Sequence, residues 1–252
     1  MKFKAYKKTL ILALFSIFFS LASYSNSSES NMVLVKGSKF IPPFTLEKNF
    51  KEFKIKSFLI DKYPVTKKEY LNFIKNNPKW QKDKIPSVFA DDSYLSDWSN
   101  SLSIDTKKYN EPVTYVSWFS AKAYCNSKQK RLPTTLEWEF ASYEEKSEDL
   151  DWYWKPQVKN IPFVGKNNSN SKGINDFHNL VWELTYDFNN SVINEDNREI
   201  SGTIQKVDAF CGGTGNFKDK KDYPAFARYS FRSTLKSDTT LNSLGFRCAK
   251  DL

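Results

Sequence analysis

Residues Asn110–Ser142 read NEPVTYVSWFSAKAYCNSKQKRLPTTLEWEFAS, and this stretch decides the fold. Pro112–Val116 (PVTYV) is β-branched and aromatic, which predicts an extended run entering a core. Ser117 then offers an N-cap oxygen to a helix predicted over Trp118–Lys128. Trp118, Ala121 and Cys125 fall at i, i+3 and i+7, one face of that helix, while Lys122, Asn126 and Lys128 take the wetter side. Arg131-Leu132-Pro133 ends it, because a proline disfavours the α region in the residue before it. Thr134 and Glu137 have capping-box spacing and start a second helix with Trp138 and Phe140 to bury.

Upstream, Lys51–Ile60 alternates well enough for a strand, with Phe53 and Ile55 apolar and, after a phase slip, Phe58 and Ile60. Thr66 and Glu69 are spaced to cap a further helix, whose stripe of Tyr70, Phe73 and Ile74 reads as core packing. Residues 78–109 are polar and aromatic without a clear period and read as a surface excursion. Downstream, a charged run over Glu144–Asp151 precedes Trp152-Tyr-Trp. The lone histidine, His178, excludes a centre needing two or three imidazoles and reads as a satisfied surface or core group. There is no phosphate-binding glycine loop, CxxC pair or nucleotide fingerprint.

The first residues read differently from the rest. Lys2, Lys4, Lys7 and Lys8 form a basic leader, and Thr9–Ala22 is an apolar run of signal-peptide length followed by small residues. The expected organisation is a signal peptide at 1–25, a polar leader at 26–31 and one domain at 32–252. The alternative for the apolar run is an uncleaved membrane anchor, the one membrane contact expected. The expected location is therefore export, periplasmic or secreted. The whole chain has 38 Lys and Arg against 29 Asp and Glu. Removing the leader's four lysines leaves +5, and the scattered remainder reads as a solvated surface rather than a nucleic-acid groove. Cys125, Cys211 and Cys248 are an odd count in an exported chain, and spacing alone does not choose a pair.

The organising stretch closely resembles the signature of the formylglycine-generating enzyme family, the sulfatase-modifying factors. That family has P-V-x-x-V-S-W, then A-x-x-Y-C, then R-L-P-T-x-x-E-W-E. The matching residues here are Pro112, Val113, Val116–Trp118, Ala121, Tyr124, Cys125, Arg131–Thr134 and Glu137–Glu139. Met32–Ile41 is similar to the family's opening strand and turn, with Lys36 and Ser38 departing from it. Gly173–Thr185 resembles G-L-x-[DN]-x-x-G-N-V-W-E-W-T. Cys211-Gly-Gly-Thr resembles R-G-G-S, and Arg232-Ser233 and Leu244–Cys248 match R-S and L-G-F-R-C. The resemblance implies an α+β fold, a single domain with much irregular structure, related to the C-type lectin fold.

It also implies a disulfide between Cys125 and Cys248, leaving Cys211 free. Closing a loop of about 120 residues contributes roughly 4–5 kcal/mol in the chain-entropy model. A calcium site is implied on Asp176 and Glu183 side chains and Asn179 and Val181 carbonyls, all hard oxygens. Asn179 stands where the family has glycine and Leu180 where it has asparagine. The alternative is that Asp176 and Glu183 are solvated acids flanking a buried Trp182. Arg232 and Arg247 are expected to pair with core acids such as Glu137 or Glu139.

The family's oxidases bind copper through two cysteines in C-x-x-x-x-C before the R-S. Soft thiolates select Cu(I). Counting back from Arg232 without gaps puts those positions at Asp219 and Pro224, neither a thiolate, so copper is not expected. Cys211 lies about eight residues too early and is the weak catalytic candidate. The function expected is therefore an exported accessory or binding protein, or a non-copper maturation factor, acting on a secreted protein or peptide through a groove near Cys211–Tyr229. Two alternatives stay open: an oxidase that converts a substrate cysteine to formylglycine or performs a related oxidation, and a purely structural role in the envelope.

Overall fold

Three strands bring the ends of the domain together. In this computed structural model, which describes residues 31–45, 52–144, 152–153, 161–188, 216–217 and 223–252, β1 (Met32–Val35) and β9 (Ala249–Asp251) flank β5 (Phe58–Asp61). Both pairings are antiparallel, with Met32 opposite Asp61 and Phe58 opposite Asp251. Val35, Phe58, Ile60 and Ala249 are buried, as period-two alternation requires of a half-buried sheet. Two-residue ladders complete the sheet structure among the described residues. β2 (Lys39–Phe40) pairs with β4 (Phe53–Lys54), β3 (Phe44–Thr45) with β7 (Asn216–Phe217), and β6 (Trp182–Glu183) runs parallel to β8 (Leu244–Gly245). The phase slip in Lys51–Ile60 is thus the gap between β4 and β5.

The helices start where their caps predict. Thr66 and Glu69 form a reciprocal capping box at the head of α1 (Lys67–Asn76), as do Thr134 and Glu137 at α3 (Thr135–Ser142). Ser117 caps α2 (Trp118–Ser127), and Ser120 closes its box from the third helical position. Pro112–Val116 forms no strand. Tyr115 takes a left-handed φ of 55°, and the run's bonds go to two places, Val113 N–H to Val65 O and Tyr115 N–H to Leu241 O. Residues 78–109 are more than a surface excursion: Trp80, Tyr94, Leu95 and Trp98 are buried against α1 and α2. The Tyr94 phenol is satisfied internally, sharing a 2.7 Å hydrogen bond with Tyr70 and donating to Trp80 O at 2.9 Å. This segment packs through irregular turns, so it has no period to read.

Two large clusters of buried side chains hold most of the described core, beside a small one of Phe44, Ala225 and Tyr229. One joins α1, the 80–104 turns and α2, and includes Tyr70 stacked on Tyr124. The other covers the three-stranded sheet with Trp138, Ala141, Ile174 and Phe177. Cys125 on α2 is disulfide-bonded to Cys248 at the entry to β9, with their Cα atoms 5.7 Å apart. Gly245 explains the glycine of its motif: a Cβ there would sit 2.8 Å from the Val113 carbonyl oxygen. The chain separates into 1–31 and 32–252.

Candidate functional site

Helix α3 presents two consecutive buried residues, Trp138 and Glu139. Helix α4 (Tyr223–Thr234) faces them with Arg228 and Arg232, one turn apart and each 3% exposed. Glu139 Oε1 accepts from Arg232 Nη1 at 2.8 Å and from Arg228 Nε at 3.0 Å. Its Oε2 accepts from Arg228 Nη2 at 2.7 Å. The Trp138 ring lies 4.6 Å from the Arg232 guanidinium and 5.3 Å from that of Arg228. Burial alone would push the Glu139 carboxyl up, but the charges and hydrogen bonds of Arg228 and Arg232 hold it below the ordinary carboxylate value. Such a group is a poor general base, since proton transfer works best with a pKa near the ambient pH.

The network continues in two directions. Trp138 Nε1 donates to Glu183 Oε2 at 2.7 Å, and Glu183 is bidentate to Arg247 at 2.8 Å on both oxygens. Arg228 Nη1 donates to the Tyr153 phenol at 2.7 Å, and that oxygen is 2.6 Å from His178 Nδ1. The lone histidine is therefore a bonded, half-buried group at the edge of a polar cleft of about 420 Å³. Glu144, Lys166, Asn167, Asn170, Asp176 and Asn179 contribute to its walls.

The expected ligands and pairs fall as follows. Arg232 does pair with Glu139, but Arg247 pairs with Glu183, and Glu137 with Arg131 at 2.7 Å. Asp176 and Glu183 are buried rather than solvated, at 3% and 2% exposure, and Trp182 is only half-buried. Asp176 accepts from Asn167 N–H at 3.2 Å and also from Gly165 N–H. Asn179 adopts φ 69°, a left-handed value that asparagine tolerates better than most residues, so the turn forms without the family's glycine. Pro224 is the second residue of α4 and buried, a position where the ring fits because first-turn N–H groups have no helical partner. Cys211 and Asp219 lie outside the described residues, as do 1–30 and most of the expected groove.

Two of the four expected calcium ligands are already engaged within the protein. Glu183 already gives both oxygens to a guanidinium and one of them also to an indole N–H. Asp176 gives each oxygen to a backbone N–H. A divalent cation on Glu183 would share that carboxylate with a positive charge in a buried site, where like charges repel strongly.

Sequence reading missed α4, Arg228 and Tyr153. The available signal was Arg228 and Arg232 at i and i+4 within an aromatic run, the spacing that puts two side chains on one helix face.

Residues 19–252 match the model of the sulfatase-modifying factor enzyme 1-like domain, so the chain belongs to that family. It is 30% identical over 169 residues to the formylglycine-generating enzyme of Mus musculus, covering 56% of this chain and 45% of that one. It is 26% identical over 251 residues to the inactive C-alpha-formylglycine-generating enzyme 2 of Bos taurus, covering 79% of each. The fold is similar to that of PvdO from Pseudomonas aeruginosa, with a TM-score of 0.56 at 16% identity over 88% of this chain and 94% of that one. The chain spans between a third and a half of the length of several curated relatives that it matches.

Proposed function

We propose that this chain is an exported sulfatase-modifying-factor protein that works without copper, as an accessory, binding or maturation factor for a secreted protein or peptide. One observation carries the reading: Asp219 and Pro224 stand where the family's oxidases have their thiolate pair. Proline has no ligand atom, and a carboxylate is too hard for Cu(I). Pro224 is also built into the first turn of α4, the helix whose next turns hold Arg228 and Arg232 on Glu139. Export is supported by the basic and apolar leader and by the Cys125–Cys248 disulfide, which suits an oxidising compartment. The inactive bovine relative, similar over most of its length, is consistent with a family scaffold that persists without the oxidase chemistry.

The test is conversion of a C-x-P-x-R peptide by the protein with Cu(I), oxygen and reductant, read by mass spectrometry. A cysteine-paired relative runs as the positive control. No conversion is expected, together with no stoichiometric Cu(I) uptake. Conversion that disappears in Cys211→Ser would overturn the reading and make Cys211 part of an oxidase site.

A further inference from the structure

We propose that the polar cleft between the end of α3 and the 166–179 segment binds a neutral saccharide of one or two rings. Its volume of about 420 Å³ lies within the range of about 300–1,000 Å³ usual for small-ligand sites. The polar groups of its walls divide into two sets. One set holds the walls in place. Asn170 donates to Ala141 O at 2.8 Å and accepts from the N–H groups of Lys172 at 3.1 Å and Ile174 at 2.9 Å. Asp176 accepts from the Gly165 and Asn167 N–H groups, and Glu144 Oε1 from Ser171 N–H at 2.7 Å.

The other set is unspent. Asn167 Nδ2 and Asn179 Oδ1 have no hydrogen-bond partner and are hidden from bulk water. The same holds for Oδ1 of Asn175, a residue 8% exposed whose Nδ2 donates to Asn167 O at 2.8 Å. Buried polar atoms are nearly always bonded, so three unpaired amide atoms side by side mark a place that lacks its partner. Asn167 and Asn179 line the cleft and are only half-buried, so a turn of the side chain brings either amide to a ligand.

The unspent groups set the ligand's chemistry. Each amide offers a donor and an acceptor, and a hydroxyl group both donates and accepts. Of the charged groups, Asp176 is engaged, and Lys166 and Glu144 carry opposite signs, so the walls favour no net charge in the ligand. Peptide grooves use apolar anchors, charged clusters or a sheet edge. Here the apolar wall residues Ile174 and Phe177 are 1% and 5% exposed, and the wall lies outside the named strands. A saccharide, dense in neutral hydroxyls, fits what remains.

The test is saturation-transfer NMR on the full chain in EDTA, with glucose, N-acetylglucosamine and maltose as probes. Transfer to at least one sugar is expected. Asn167→Ala and Asn179→Gly should each weaken that binding at least about fivefold, the effect of one lost neutral hydrogen bond. Glycine at 179 keeps the left-handed turn while deleting the amide. No transfer to any of the three sugars would mean that the amides hold ordered water only and would overturn the proposal. Unchanged affinity in both variants would place the sugar elsewhere and overturn it as well. So would binding that appears only when Ca²⁺ replaces EDTA, because the metal would then do the recognising. Should one variant not fold, the wild-type titration and the other variant still decide it.

Discussion

Glu139 and Glu183 are both buried carboxylates held by arginine, and they differ in how. Glu183 faces a single guanidinium in a bidentate pair, charge against charge, with its partner one residue from a disulfide-bonded cysteine. Glu139 is shared by two guanidiniums from one face of α4, and one of those also reaches Tyr153. Glu183 and Arg247 lie in segments that match the family pattern closely. Helix α4 begins at the segment that departs from it, where the thiolate pair would be. The difference follows which segments match the family pattern and which depart from it. The segments that tie sheet ends to core kept their pattern. The segment that would carry oxidase chemistry instead carries a proline that starts a helix, and that helix is clamped to α3 by its arginines.

The largest effect should come from breaking the shared carboxylate. Glu139→Gln leaves two buried guanidiniums bonded to a neutral amide, and removing one member of a buried ionic group costs about 3–5 kcal/mol. For a chain of this size that lowers Tm by roughly 6–20 °C. Glu183→Gln leaves one guanidinium and should cost less. Identical melting of the two variants by circular dichroism would mean that the number of arginines per carboxylate does not set the cost.

Acid tests the Glu139 carboxylate next. The Glu139 pKa is depressed in the folded state below its ordinary value of 4.5, so its contribution to stability is present above that value. The contribution is lost as pH falls through the folded pKa. Wild-type stability should therefore decline below about pH 4.5, and the decline should be shallower in Glu139→Gln. Parallel acid curves for the two proteins would remove Glu139 from the account.

The smallest expected effect is at the cap of α3. Thr134→Ala removes one side of the capping box and should cost about 1 kcal/mol, or 2–4 °C in Tm. A loss as large as that of Glu139→Gln would show that the placement of α3, rather than the charge it carries, holds the site together.

Legibility followed the range of the interaction. The Thr66–Glu69 and Thr134–Glu137 boxes span three residues each, so their motifs could be read along the chain. Ser120, which closes the box at Ser117, was hidden because serine at that position has many other roles. The strand expected at Pro112–Val116 failed because its composition favours extended backbone but says nothing about available partners. Its N–H groups bond Val65 and Leu241, and Tyr115 turns left-handed between them. Arg232 with Glu139 was within reach of the sequence; Arg247 with Glu183 was not, because a carboxylate expected to hold a metal was already assigned.

By itself, the sequence determined the family, the starts of α1, α2 and α3, the absence of a thiolate pair at Asp219 and Pro224, and the candidate cysteines. Each depends on residue identity and short spacing. Only the tertiary structure decided which arginine meets which acid, that Asp176 and Glu183 are buried and engaged, and that Trp80, Tyr94 and Trp98 are core. Those outcomes depend on groups up to 186 residues apart meeting inside a dense interior, as Arg247 does with the Asp61 carbonyl. There, desolvation makes every buried charge find a partner, and the chain's three-dimensional path chooses which one.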